Sequence, residues 1–330
     1  MDPVSQGILG VAAAQAVSNR PWVRRAAFMG LVAGLAPDAD VFIHSATDPL
    51  LSLQFHRHFT HALAFIPFGA LLVALVLHPL AGRKTLRFST TYLFCLVGYA
   101  THGLLDACTS YGTQLLWPFS DLRVAWNNIS IIDPLFTVPI LLLAALGIWR
   151  KSPILARCAL IWAVAYLFIG VVQRDRAAAI GHELAASRGH VTDGWSAKPT
   201  FGNLLVWKIV YESEGTFYVD AVRVGLSGRY YPGASIRKLD ARRDLPWLRA
   251  DSQQARDVER FRWFSGDYLA LSGSNTITDI RYSLVPNEIE GLWGIVLTPR
   301  AQKHQHVRYA SRRAAAASKW QAFRDMLLGN

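Results

Sequence analysis

Residues 56–80 read HRHFTHALAFIPFGALLVALVLHPL and join a histidine-rich run directly to a long apolar segment. The apolar part, Ala62–Leu80, has the length of a helix that crosses a bilayer, for which about 20 residues are needed. Ionisable groups are costly to keep beside such a segment, so a cluster of them indicates a functional site. The junction therefore predicts a membrane protein that carries a polar site at one bilayer surface.

The first half of the chain contains further segments of this kind. Three are apolar and long enough to span a bilayer: Phe88–Leu105, Ile131–Trp149 if its Asp133-Pro134 start is counted, and Ile154–Val172. In the second of them, Asp133-Pro134 is typical of a helix N-cap followed by proline. Gly7–Ser18 and Ala26–Ala36 are too short to span alone, and their small residues predict a closely packed helical hairpin. We therefore predict an α-helical membrane domain over residues 1–172, in preference to a soluble helical bundle.

The distribution of charged residues predicts the orientation of this domain. Charged residues of only the basic kind occur in three loops: 19–25, 82–89 and 150–157. The connections on the opposite side, 37–61 and 106–133, contain the aspartates and most of the histidines. Because basic loops face the cytoplasm under the positive-inside rule, the Asp/His connections are predicted to be extracytoplasmic. The three crossings predicted after Arg87 place residues 173–330 outside as well.

Residues 173–330 are predicted to form a mainly-β (α+β) extramembrane domain. Asn203–Glu212 and Thr216–Gly225 are rich in β-branched and aromatic residues, and a short Glu214-Gly215 turn joins them as a hairpin. Three further stretches are strand candidates: Tyr268–Ser272, Thr276–Val285 and Gly291–Leu297. Ser311–Leu328 is predicted to close the chain as an amphipathic helix.

The charge balance bears on the partners of the protein. The net charge of +11 divides into +4 for residues 1–172 and +7 for residues 173–330. The basic second half favours contact with anionic membrane lipid, and since no nucleic-acid motif accompanies it, nucleic acid is not an expected partner. Protein partners cannot be named from the sequence. The three cysteines lack metal or redox spacing, and no Ser or Cys nucleophile motif is present.

Aspartate and histidine are interleaved in the predicted outer connections, and together they are a ligand set for zinc and similar divalent ions. All seven acidic residues of positions 1–172 are aspartates, and six of them lie between residues 38 and 133. His102 and Asp106 are one helical turn apart, which fits either joint metal binding or a structural hydrogen bond. Further candidates are the Asp38-Ala39-Asp40 loop and the imidazoles of the HRHFTH run, among which His58 is the weakest. A divalent metal site at the outer surface is therefore predicted.

At these residues the chain resembles the YdjM-like family of membrane-bound, metal-dependent hydrolases. The shared features are Met1-Asp2-Pro3, Ala36–Asp40, the HRHFTHA run, Gly98-x3-His102-x3-Asp106, Thr109–Ser120 and Ile131–Pro134. They cover residues 1 to about 140, and a looser similarity follows at Pro199–Asn203 and Trp207. The resemblance implies a multi-pass protein of the bacterial inner membrane with a metal-dependent hydrolase site.

The family is in turn distantly similar to zinc-dependent phospholipase C and related nucleases, which use a His-x3-Asp pair on a helix. That similarity implies zinc as the metal and the following ligands: His56, His61, His102, Asp106 and one or both of Asp38 and Asp40. One departure leaves the number of ions open. Family members commonly have a Thr-His pair near the N-terminus, where this chain has Ser5-Gln6.

Two functions from different classes follow from these observations. The first is a metallohydrolase in which the metal activates water for attack on a phosphodiester or lipid-like substrate. In this hydrolase Asp38 or Asp40 serves as a metal ligand or as the general base. Arg57 and Arg123 neutralise the charge of an anionic substrate. The second is a non-catalytic, metal-stabilised membrane scaffold whose β domain binds an envelope partner. A transporter is less favoured, because the charges collect at one surface and not at the bilayer midplane.

Overall fold

The computed structural model describes residues 1–225, 227–312 and 316–329 and divides the chain into two compact units. Unit 1 comprises Met1–Phe42, Phe55–Val172 and Phe201–Asn203. Unit 2 comprises Ile43–Gln54, Gln173–Thr200 and Leu204–Asn330. The first unit is helical, and the second contains two antiparallel sheets and several helices.

Unit 1 is built from helices whose ends follow local sequence signals. Its helices are α1 (Pro3–Ala16), α2 (Val23–Leu35), α4 (Ile66–Leu77), α5 (Phe88–Cys108), α6 (Pro134–Arg150) and the first part of α7 (Pro153–Ser187); the short α3 (Leu51–Phe55) lies at the unit boundary. Asp133 caps α6 by accepting from the backbone N–H groups of Leu135 and Phe136, with Pro134 at the first position. The N-cap predicted from Asp133-Pro134 is thereby confirmed.

Small residues let α1, α2 and α5 approach closely, as the two short apolar segments predict. A Cβ atom at Gly10 of α1 would collide with the backbone carbonyl of Gly30 in α2. A Cβ atom at Gly98 of α5 would lie 2.9 Å from that same carbonyl oxygen. Glycine is therefore required where the three helix backbones meet. This contact brings the C-terminal end of α2 beside the C-terminal half of α5.

Among the described residues, two helical segments are long and apolar enough to cross a membrane: Leu63–Gly82 and Pro153–Ser187. Helix α6 is apolar but has only 17 residues. Helix α5, predicted as a span from Phe88–Leu105, does not qualify. The reason is that α5 contains polar residues such as Thr91 and His102, which lower its mean hydropathy; these residues are buried in unit 1 and do not face its surface.

Unit 2 contains two four-stranded antiparallel sheets, each with its strands in sequence order. The first consists of β1 (Gly194–Pro199), β2 (Val206–Ser213), β3 (Thr216–Val224) and β4 (Gly228–Arg237). The second consists of β5 (Leu269–Ser272), β6 (Thr276–Asp279), β7 (Trp293–Val296) and β8 (Arg308–Ser311). A buried apolar cluster packs beneath strands of both sheets and contains Val210, Phe217, Val219, Ala270 and Ile280.

The strand predictions for unit 2 are confirmed in outline, while several boundaries differ. Glu214 and Gly215 both have positive φ angles and form the tight turn between β2 and β3. The strand predicted over Thr276–Val285 ends at Asp279, where the side chain of Asp279 accepts from the backbone N–H of Arg281. Helices α8 (Ala241–Asp244) and α9 (Gln253–Ser265) were not predicted. The closing helix α10 is Ala316–Leu328, since Ser311 belongs to β8 and residues 313–315 lie outside the described part.

Candidate metal centre

Four of the predicted ligands converge in unit 1: Asp38, His61, His102 and Asp106. Their nearest ligand atoms all lie within 4.8 Å of one another. His61 Nε2 is 3.2 Å from Asp106 Oδ2 and 3.6 Å from Asp38 Oδ1. His102 Nε2 is 3.3 Å from Asp38 Oδ1 and 3.7 Å from Asp106 Oδ2. Two imidazoles and two carboxylates thus point at one small volume.

The geometry of this group fits a metal ion. A tetrahedral zinc ion with bonds of about 2.0–2.1 Å holds its ligand atoms roughly 3.3 Å apart, close to the separations found here. His61 Nε2 and His102 Nε2 are also buried and make no hydrogen bond among the described residues, and the buried Asp106 Oδ2 has an ion pair with Arg57 Nε. Because buried polar atoms that lack hydrogen bonds destabilise the fold, the two Nε2 atoms in particular favour a bound group. A divalent cation would satisfy both of them at once.

Local structure explains how these four side chains meet. His102 and Asp106 lie one turn apart on α5, as their spacing predicts. Asp38 lies on the 3-10 turn Ala36–Phe42 that directly continues α2, and His61 ends the short 3-10 turn Phe59–His61. Gly103 is essential to the approach, because a Cβ atom at this position would collide with the carbonyl oxygen of His61. Glycine next to His102 therefore allows the HRHFTH run to reach α5.

Both imidazoles are oriented by hydrogen bonds on their far side. His102 Nδ1 lies 2.6 Å from the carbonyl oxygen of Gly34, which can only accept, so Nδ1 carries the proton. His61 Nδ1 lies 3.0 Å from Thr60 Oγ1, and Thr60 Oγ1 donates to Asp40 Oδ2 at 3.3 Å. Such partners fix the tautomer of a metal-binding histidine and leave Nε2 available as the ligand.

Asp106 is held by polar groups on both of its oxygens. The amino group of Met1 forms an ion pair with Oδ1, and Gln6 Nε2 donates to the same oxygen at 2.8 Å. Arg57 Nε lies 3.0 Å from Oδ2. Gln6, the departure from the family pattern, therefore lies beside a candidate ligand and contacts it through its amide nitrogen.

Arg57 lies inside the protein at this site. Its guanidinium donates to Thr109 Oγ1 at 2.8 Å, lies beside Asp106 and stands 4.9 Å from the centre of the Tyr111 ring. The side chain is only 5% exposed, so its charge is placed to stabilise the Asp106 carboxylate. Arg123 also contacts the Tyr111 ring, and it donates to the Gly112 carbonyl oxygen at 2.8 Å. The catalytic role of Arg57 remains a prediction.

Asp40 and His56 form a second group with Asp38 that could also hold an ion. The side chain of Asp40 is completely buried, with His56 Nδ1 2.9 Å from Oδ1 and the backbone N–H of Arg57 donating to Oδ2 at 2.8 Å. Asp40 thus has protein partners on both oxygens, and it orients His61 through Thr60 as well. Its contacts link Asp40 to the first group through Thr60, while His56 remains partly exposed.

Asp38 is the ligand candidate nearest to solvent, since its side chain is 26% exposed. Burial opposes its ionisation, but contacts with His102 and His61 outweigh burial and hold the pKa of Asp38 below its ordinary value. For His61, burial alone would lower the pKa, but the carboxylates of Asp106 and Asp38 outweigh it and raise that pKa. An ion that binds here therefore competes with a proton on His61.

His58, the third imidazole of the HRHFTH run, belongs to neither group. Its ring packs against Phe59 and Trp117, with centroid separations of 5.9 and 5.4 Å. Burial lowers the pKa of His58, which favours the neutral ring. His58 is the weakest ligand candidate of the run in the sequence, and in the structure it lies apart from the groups that contain His56 and His61. The roles of all these residues remain predictions, because the geometry shows only that the groups could bind a metal.

The comparisons with known proteins agree with a membrane protein. The uncharacterized protein YfhP of Bacillus subtilis (strain 168) is 26% identical over 207 residues, which are 62% of this chain and 61% of that protein. Inner membrane protein YbcI of Escherichia coli (strain K12) is 33% identical over 113 residues, which are 32% of this chain and 62% of that protein. The chain thus spans about six-tenths of the length of these curated relatives. No solved structure matches the chain.

The family model of the YdjM inner membrane protein matches residues 1–177, which is more than half of the chain. The matched region contains every residue of the two groups of unit 1 that could hold a metal ion. The chain therefore belongs to the YdjM inner membrane protein family.

Proposed function

We propose that this protein is an integral-membrane, metal-dependent hydrolase whose His/Asp site faces the extracytoplasmic side. The observation that carries the proposal is the convergence of two buried Nε2 atoms without hydrogen bonds and the buried Asp106 carboxylate beside the partly exposed carboxylate of Asp38. Two imidazoles and two carboxylates suit zinc, although related divalent ions use the same ligands. When bound, the metal would polarise a substrate oxygen and lower the pKa of a coordinated water toward 7.

The exposure of each side chain indicates its role in this proposal. His61, His102 and Asp106 are buried and would hold the ion, which matches the three protein ligands of a catalytic zinc site. Asp38 is partly exposed on the open side, where it serves as a displaceable ligand or as the base that accepts the proton of the attacking water. Asp40 orients His61, and Arg57 keeps Asp106 ionised.

An amphiphilic substrate, such as a lipid or another phosphodiester, is supported by the surroundings of the site. The candidate span Leu63–Gly82 begins two residues after His61. Phe42 lies on the same 3-10 turn as Asp38 and is 78% exposed. Phe119, in the connection between α5 and α6, is 87% exposed. Exposed aromatic side chains beside a membrane segment are suited to the lipid interface. Membrane lipid is therefore the proposed surrounding and substrate source.

The membrane domain proposed for residues 1–172 is supported by its surface. Helices α4, α6 and α7 expose many large apolar side chains, among them Leu72, Leu142 and Ile161. Only 22% and 28% of the two candidate spans are buried within the protein, unlike the core helix of a soluble protein. The basic-only loops support a cytoplasmic face opposite the metal centre. In this topology α5 would also cross the bilayer, packed against α2 and α4 and not exposed to lipid as the two candidate spans are. Residues 173–330 are then proposed to be a β-rich extracytoplasmic domain.

Cysteine labelling in intact cells tests this topology. The background should be Cys158→Ser, because Cys158 is exposed whereas Cys95 and Cys108 are buried. A membrane-impermeant maleimide is expected to label Ser120→Cys and not Ser89→Cys, since position 89 adjoins the basic loop Arg83–Arg87. Labelling of position 89 alone would invert the topology and place the metal centre in the cytoplasm.

Hydrolysis by the zinc-loaded protein tests the activity. Purified protein in detergent should cleave at least one member of a phospholipid and phosphodiester series. Asp38→Asn is expected to lower that rate about 100-fold or more, as loss of a general base does, while the buried ligands retain metal. Asp121→Asn, an exposed carboxylate in the 106–133 connection, is the control and should leave the rate unchanged. Full activity of Asp38→Asn would remove Asp38 from the reaction.

A second candidate function, a metal-stabilised scaffold, is favoured by one specific observation. If Asp38 binds the ion together with the three buried ligands, four protein ligands surround the ion and no position is left for water or substrate. Sites of this kind are typical of structural zinc. Gln6, which contacts Asp106 through its amide nitrogen, provides no additional basic ligand. Stable metal binding without hydrolysis of any substrate in the series would support the scaffold and contradict the hydrolase.

A further inference from the structure

The segment Ile43–Gln54 lies between two parts of the metal centre in the sequence. It connects Phe42, two residues after Asp40, to Phe55, which precedes His56. Phe42 and Phe55 belong to unit 1, but the segment itself packs as part of unit 2. The position of this segment therefore constrains both chain ends that carry metal-centre residues.

One arginine of unit 2 holds the segment at two points. Arg260 of α9 makes a bidentate ion pair with Asp48, with Nη2 2.8 Å from Oδ2 and Nη1 3.0 Å from Oδ1. The same guanidinium donates to Gln54 Oε1 at 3.2 Å. Bidentate arginine–carboxylate pairs have a defined geometry and are stronger than single contacts. Arg260 thus fixes the middle and the end of the segment.

Two further side chains hold Arg260 in place. Asp257 is completely buried and lies 3.1 Å from Arg260 Nη1, 2.9 Å from His306 Nδ1 and 3.1 Å from the backbone N of Val307. Gln253 Nε2 also donates to Asp257 at 3.0 Å. Asp48, Asp257 and His306 are close enough to hold a metal. However, protein donors, including the Arg260 cation, already satisfy both carboxylates, so the cluster functions as an ion-pair clamp.

We propose that Arg260 is a positioning residue for the metal centre, acting through Asp48 and Gln54 on the segment that joins Asp40 to His56. The inference rests on the proposed metal site and adds a positioning contact to it. A free loop samples many conformations, and fixing it in advance lowers the entropy lost when Asp40 must orient His61. A change in unit 2 that breaks the clamp would therefore weaken metal binding in unit 1.

The test compares Arg260→Gln, Asp48→Asn and their double variant in the full-length protein, with two measurements on each. The first is the zinc Kd, measured by competition with a chelator. Each single variant is expected to weaken zinc binding about 3- to 10-fold. The double variant should bind zinc no more weakly than the weaker single variant, because each single substitution already removes the same Arg260–Asp48 ion pair. Arg260→Lys retains the charge and should recover part of the loss. Arg249→Gln is the control, since its ion pair with Asp251 is exposed and lies in the same unit.

The second measurement is amide hydrogen exchange of the metal-free protein at residues 36–42 and 55–61. Exchange there should accelerate in Arg260→Gln and Asp48→Asn and remain unchanged in Arg249→Gln. Wild-type exchange and Kd in Arg260→Gln would overturn the proposal. If the wild-type protein binds no zinc, the proposed metal function fails, whereas the exchange data still decide whether Arg260 positions the segment.

Discussion

Replacing Gly103 with alanine is expected to remove most of the bound metal. The new Cβ atom would collide with the backbone carbonyl oxygen of His61 and would lie 3.4 Å from a methyl group of Leu115. Because the obstructing atom belongs to the backbone, α5 and the HRHFTH run must move apart. Overpacking of this kind costs about 1–3 kcal/mol, and metal ligands tolerate shifts of only about 0.2 Å. His61 and His102 would then no longer reach the same ion.

The measurement is metal content of the purified variant by mass spectrometry, with helicity followed by circular dichroism. Gly147→Ala in α6 is the matched control: its Cβ atom would lie 3.3 Å from the Ser152 carbonyl oxygen, a contact that a small adjustment relieves. The control should bind metal as the wild-type protein does. Wild-type metal content in a folded Gly103→Ala variant would show that His61 and α5 need not approach each other so closely.

The parts of the fold that the sequence predicts well are governed by neighbouring residues. The His102–Asp106 spacing places both side chains on one face of any helix, whatever surrounds it. Asp133-Pro134 starts α6 because the capping group and the proline act within one turn. The Glu214-Gly215 hairpin likewise depends on a local backbone conformation with positive φ. Helix α9 could have been predicted by the same reasoning, since Ser252 caps its start and Gly266 its end.

The division of roles among the acidic residues could not be predicted, because it depends on contacts between distant parts of the chain. The sequence treats Asp38 and Asp40 alike, whereas the structure exposes the first and buries the second among several donors. His102 is oriented by the carbonyl group of Gly34, a residue 68 positions away that carries no side chain. No spacing rule identifies such a partner.

The membrane spans and the division into two units also depend on contacts between distant residues, which the sequence does not reveal. Helix α5 was predicted as a span because its apolar residues are numerous, but its polar residues point into unit 1 and reduce its mean hydropathy. The Ile43–Gln54 segment packs with unit 2 through Arg260, which lies 212 positions from Asp48. Hydropathy along the chain therefore predicts where apolar segments occur, while three-dimensional packing decides which of them can face lipid.

The most direct test of the metal centre is the metal content of His102→Ala compared with that of His78→Ala. His102 Nε2 is a buried candidate ligand atom of the group, and its loss would leave an ion bound to Asp106 with an incomplete coordination sphere. Loss of a partner behind a ligand already costs about 10–100-fold in affinity, so loss of the ligand itself should exceed that range. His78 is the control, because it follows the far end of α4 and contacts Thr91 Oγ1 at 3.0 Å.

Both variants should be purified in the same detergent, supplied with equal zinc, freed of unbound metal and measured by mass spectrometry. The expected result is that His78→Ala retains the wild-type metal content, whereas His102→Ala retains almost none while keeping its helical circular dichroism. Equal metal content in the two folded variants would contradict a metal centre formed by Asp38, His61, His102 and Asp106.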